Sequence, residues 1–224
     1  MKSTTLILLC AAGIATCALT SSCNSDSDYG TSSLTTLTLS DSIEANTDVV
    51  GSYDGCIFVS DDDSITGVTW IVKAVSKKES TMTMDNFPAS AIATLLDDDL
   101  APVATILAAA DDQALTFDVI PVLKVAYSSY TIYEYSVLPT DVLQFEVVVG
   151  DTSHIATVNF GDYYEDTNGY YYYPMAIIED DVFQGNIILE SIVVDDVTYE
   201  LDTVFGFKAT KGSGETSDRI TTTE

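Results

Sequence analysis

The chain has 224 residues, 46% of them hydrophobic, with 8 Lys+Arg against 35 Asp+Glu and a formal net charge of −27 at pH 7. So acidic a surface repels phosphate backbones and anionic headgroups alike, which argues against nucleic-acid binding and against direct adsorption to a membrane. The length suits a single domain able to bury a substantial core.

The N-terminus carries Lys2, an uncharged run from Leu6 to Leu19 and a small-residue junction, Thr20-Ser21-Ser22. That order is the order of a secretory signal peptide over residues 1–22. The run is too short to span a bilayer, which takes roughly 20 apolar residues. Leu19-Thr20-Ser21-Ser22-Cys23 resembles the lipobox cleaved by signal peptidase II, with the leucine one place further from the cysteine than in the strict motif. The resemblance implies that Cys23 becomes an acylated first residue. Asn24-Ser25-Asp26-Ser27-Asp28 resembles the acidic export tag of surface-displayed Bacteroidetes lipoproteins, which implies an outer-membrane anchor facing outward. Several acyl chains, each contributing about 0.8 kcal/mol per buried CH₂, hold a protein stably where one does not. Of the four cysteines, Cys10 and Cys17 would leave with the signal peptide. Lipidation of Cys23 then leaves Cys56 without an intrachain partner; otherwise Cys23–Cys56 is the one bridge possible. Cys56, between Gly55 and "IFVS", reads as a small buried core residue.

Residues 23–44 read as the lipidated cysteine and a flexible acidic, Ser/Thr-rich tether. Residues 45–210 read as one β-rich domain, and 211–224 as a disordered tail. Within the domain the chain alternates between strand patterns and acidic turns. Strands are predicted over 52–60, 65–75 and 80–87, with Met82 and Met84 on one face. The Ala/Leu-rich segment 88–112 predicts two short helices, Pro88 opening the first and a break near Asp97–Asp99. Strands resume over 114–127, where Pro121 marks an edge or a bulge, then 130–138, 143–149, 154–160, 186–194 and 197–207. The pair 143–149 and 154–160 around Gly150-Asp151 is the clearest hairpin. The fold class is mainly β (α+β), an antiparallel sandwich or barrel-like domain with a short helical pair inserted around 88–112.

Gly51-Ser52-Tyr53-Asp54-Gly55 opening the first strand and Asn86-Phe87-Pro88 opening a helix resemble a family of small Bacteroidetes lipoproteins known only as a domain of unknown function. The resemblance covers roughly 45–205. It implies an envelope address and brings no catalytic residues.

His154 is the sole histidine, so a Ser-His-Asp triad or a histidine metal site would have to be built on it. Ser153 is adjacent and Asp151 near, but neighbours along a strand point to opposite faces. No catalytic constellation is recognisable. Calcium is a second candidate: Asp162, Asp166 and Asn168 lie in a stretch resembling the end of an EF-hand loop, yet Tyr164 and Met175 stand where oxygen ligands belong. Asn168-Gly169 reads equally as a two-residue hairpin turn. No other cofactor is implied. The third candidate is the tyrosine cluster Tyr163, Tyr164, Tyr170, Tyr171 and Tyr172. Aromatic faces take sugar CH groups and neighbouring carboxylates take hydroxyls. A glycosidase would need two carboxylates about 5–9 Å apart, which spacing in a chain this acidic cannot select.

The sequence is thus read as a lipid-anchored envelope binding or structural module. Its partners would be the membrane through the anchor, and a glycan or another envelope protein. A hydrolase acting on polysaccharide or peptide is the alternative and predicts a deep cleft with a carboxyl pair, whereas a flat exposed tyrosine patch favours binding. A minor pilus or assembly subunit is the third reading, and predicts an exposed strand edge or a removable N-terminal segment.

Overall fold

Period-two alternation governs most of the chain, and the computed structural model, which describes residues 33–59, 63–127, 130–165 and 168–212, turns it into long antiparallel strands. The described elements begin with β1 (Ser33–Thr35), α1 (Leu39–Val49), β2 (Gly51–Phe58), β3 (Ser64–Ala74) and β4 (Ser80–Phe87). Two short helices follow, α2 (Ala89–Leu95) and α3 (Ala101–Ala108), separated by a 3₁₀ turn at Asp98–Leu100. Then come β5 (Gln113–Ala126), β6 (Thr131–Pro139), β7 (Leu143–Val149), β8 (Thr152–Phe160), β9 (Tyr164–Glu165), β10 (Tyr171–Tyr172), β11 (Met175–Glu179), β12 (Val182–Val194) and β13 (Val197–Lys211). The expected signal peptide, Cys23 and most of the expected tail lie outside the described residues.

The main sheet runs β6-β5-β4-β3-β2-β13-β12, and β11 pairs with both β6 and β12. Those pairings close an eight-stranded antiparallel barrel, a size whose interior side chains can just fill. Glycine allows close approach at one seam: a Cβ on Gly185 would stand 2.5 Å from the Met175 carbonyl oxygen. β12 and β13 run beyond the barrel, where β8 and then β7 add to β12 as an outlying flap of sheet. A bulge between Pro121 and Leu123 absorbs the missing amide of Pro121.

The barrel core is aromatic. Tyr53, Trp70, Tyr135, Phe183 and Phe207 are buried, and Phe183 lies 5.5–6.0 Å from Tyr53, Tyr135 and Phe207. Met82 and Met84 both point inward. Trp70 Nε1 is the one buried side-chain polar atom lacking a hydrogen-bond partner among the described residues, and its ring meets Phe207 at 89°. α2 and α3 pack on each other, and α3 packs on β7 and β8, whose inner side chains Leu143, Phe145, Val147, Ala156 and Val158 are buried.

Residues 33–44 depart from the expected tether. β1 pairs with β5, and α1 closes one end of the barrel. Thr38 and Asp41 form a capping box that satisfies the first amides, and Ala45 and Val49, one turn apart, bury the inner stripe. The barrel then holds α1 by its backbone: the Tyr53 and Tyr135 hydroxyls donate to the Val49 and Ala45 carbonyls at 2.6 and 2.8 Å. Ser80 donates to buried Asn46 at 2.6 Å, and Lys211 Nζ donates to the Asp48 carbonyl at 2.8 Å. A Ser/Thr/Asp-rich composition thus hid an amphipathic helix whose apolar stripe is only one residue wide per turn. Lys211 likewise ends β13 rather than opening the tail. Cys56 also departs from expectation: the register shifts between Gly55 and Cys56, and the side chain is left half-buried rather than in the core.

Candidate functional site

Two features stand out at the barrel end opposite α1. The first is a small flap formed by residues 161–165 and 168–175, between β8 and β11. β9 and β10 pair with Glu165 opposite Tyr171 and Tyr164 opposite Tyr172. Tyr164 and Tyr172 are half-buried on one face, their rings stacked 5.8 Å apart. Tyr163 and Tyr171 occupy the other face, 54% and 55% exposed, with ring centroids 5.9 Å apart. Tyr170 and Tyr173 are exposed too. The Tyr171 hydroxyl is hydrogen-bonded to the Glu165 carboxylate, and that bond and charge push the phenol above its usual range. Asn186 holds the flap at its root: it accepts from the Met175 amide at 2.9 Å and donates to the Tyr173 carbonyl at 3.0 Å.

The structure therefore divides the predicted tyrosines. Tyr163, Tyr170 and Tyr171 present rings to solvent, while Tyr164 and Tyr172 brace the flap. Tyr173 belongs with the exposed rings, and nothing in a run of four tyrosines says which half points outward. Asn168-Gly169 does not form the two-residue turn expected of it. Glu165 pairs with Tyr171, so the strands do not flank Asn168-Gly169 directly, and Gly169 takes a left-handed conformation at φ 82°. Asp162 and Asn168 are exposed, and Asp166 lies outside the described residues. Among the described residues no three His, Cys, Asp or Glu side chains converge as a metal site.

The second feature is His154. Its Nδ1 lies 2.7 Å from Asp195 Oδ2 in the β12–β13 turn, and Asp195 Oδ1 accepts the Ile155 amide at 3.0 Å. The bonds from His154 and Ile155 hold the Asp195 carboxyl below its ordinary range. Ser153 projects to the other face of β8, where its hydroxyl donates to Glu146 at 3.1 Å. Ser153 is thereby not aligned with the histidine. Asp195 stands 41 positions from His154, so no local spacing announces the pair. Beside it a shallow, open depression is lined by Gln144, Ile155, Thr157, Val193, Asp195 and Asp196.

A family model described as a domain of unknown function (DUF4840) matches residues 48–194, well over half of the chain. The match takes in β2 to β12, the flap included, and stops before β13. No curated protein matches, and no solved structure does.

Proposed function

The chain belongs to the DUF4840 family, a domain of unknown function, and from its own surface we propose that it is a cell-envelope binding module of the Bacteroidetes lipoprotein type, tethered through Cys23, that offers its tyrosine flap to an extracellular glycan. One observation carries the reading. Tyr163 and Tyr171 stand side by side in solvent with Glu165 beside them, on a hairpin whose opposite face is already braced by Tyr164 and Tyr172. Paired phenol faces suit the CH faces of a sugar chain, and a carboxylate among them suits its hydroxyls. Flat presentation supports binding over the cleft chemistry of a hydrolase. The acidic surface supports a neutral glycan over an acidic one.

Two measurements test this. In affinity electrophoresis through gels of neutral polysaccharides, at least one polymer retards the protein, and the Tyr163→Ala/Tyr171→Ala double variant runs free with its melting temperature unchanged. Equal retardation of the variant sinks the flap as the site. For the anchor, Cys23→Ser moves the protein from the membrane to the soluble fraction, and protease added to intact cells removes the wild-type domain. Protection until the outer membrane is opened counts against an outward face.

A further inference from the structure

Closing a barrel removes strand edges, but the sheet that runs beyond the barrel keeps them, and among the described residues β7 has one along its whole length. β7 pairs with β8 alone among the described residues. Gly150 and Asp151 form a two-residue turn, so Val149 and Thr152 beside it exchange main-chain hydrogen bonds and every second pair does so after them. The amides and carbonyls of Gln144, Glu146 and Val148 therefore point away from β8, toward solvent. These three side chains are exposed as well, Val148 at 64%. β7 bears no lysine, proline or bulge, the usual guards of an edge.

Charge selects the occupant. Residues 125–207 contain no lysine or arginine, while Asp141, Glu146, Asp151, Asp195 and Asp196 surround this sheet. A second copy fits badly: antiparallel pairing of β7 with itself about its middle residue sets Glu146 against Glu146, and like charges directly opposite are destabilising. We infer that the edge of β7 is a docking site for an extended, lysine-containing strand of a partner protein, which adds to the sheet by main-chain hydrogen bonds. Its cationic residues face Glu146 and Gln144 on the exposed side, and its alternate, apolar residues extend the buried row of Leu143, Phe145 and Val147. Strand addition draws affinity from the main chain and specificity from alternate side chains. The site stands on β7 alone, apart from the tyrosine flap, and survives failure of the glycan reading.

The test uses the ¹⁵N-labelled full chain and a synthetic peptide, Lys-Val-Lys-Val-Lys-Val-Lys, with the same peptide N-methylated at alternate amides as control. Binding is expected to slow amide exchange at Gln144, Glu146 and Val148 by about tenfold or more, and N-methylation is expected to weaken the complex by about tenfold or more. Glu146→Lys weakens it likewise. Val148→Pro removes one outward donor and blocks the ladder, and its circular dichroism melt shows whether the fold persists. Equal affinity of the N-methylated peptide would reduce the effect to charge adsorption and overturn the proposal. So would absence of binding, or β7 protection that rises with protein concentration without peptide, which would make a second copy the occupant.

Discussion

Asp180-Asp181 and Asp195-Asp196 turn two hairpins, and all four residues hold positive φ, from 49° to 67°. A tight hairpin needs that mirror-image geometry, which glycine adopts freely and an L side chain adopts under strain. The two turns differ in what their side chains do. Asp195 bonds His154 and the Ile155 amide, whereas Asp181 contributes its carbonyl, which accepts the Lys211 amide at 2.7 Å. Asp181→Gly should therefore raise stability by about 0.5–1 kcal/mol, read from the urea midpoint. Asp195→Gly should lower it, because relief of strain comes with the loss of two hydrogen bonds. Equal gains at both sites would mean that the His154 pair contributes nothing.

α1 is polar in composition and yet closes the barrel, which makes its docking depend on a few directed bonds. Asp41 accepts at the capping box and from Lys124 Nζ at 2.6 Å, across to β5. The Lys124 bond, then the Thr38 hydroxyl and amide, lower the Asp41 carboxyl from 3.8 to about 2. The folded value lies below the ordinary one, so this stabilisation is complete above about pH 4 and disappears as pH falls through 2. Asp41→Asn should destabilise the protein at pH 7 and leave the urea midpoint at pH 2 nearly unchanged. A difference that persists undiminished at pH 2 would assign the effect to the cap geometry and not to the charge. The same bond explains why residues 33–44 fold: the lysine that anchors them sits 83 positions away.

For the whole molecule the governing quantity is −27. Basic side chains cluster at the α1 end, where Lys124 and Lys211 act on the helix, and the half that carries the flap and β7 has acids without partners in lysine or arginine. Self-repulsion on that half opposes compaction and keeps copies apart. Raising salt from about 10 mM to about 150 mM shortens the screening length from about 30 to about 8 Å and should raise the melting temperature. A temperature that falls or holds over that range would mean that the acids are already compensated. The repulsion also bears on the open edge of β7, where it adds to Glu146 in discouraging self-association of a strand that has no lysine, proline or bulge.

Alternation along a strand is a local property, and the residues that carry it could be read directly: Leu143, Phe145 and Val147 turn inward as their spacing requires, Met82 and Met84 share the core, Pro121 sits at a bulge, and the helical pair breaks between Asp97 and Ala101. Sequence by itself thus determined the fold class and most strands. Pairing is not local. The five residues of β11 show no alternation, since Ala176 and Ile177 are both buried between β6 and β12, so the strand that closes the barrel was not legible. Nor was α1, whose burial depends on tyrosines of β2 and β6, nor the choice among flap tyrosines, which rests on whether each ring meets the barrel or the solvent. Which residues share a face follows from their spacing in the chain. Which partner each meets is decided by closure of the sheet, because strand pairing joins segments whose separation in sequence leaves no trace in either.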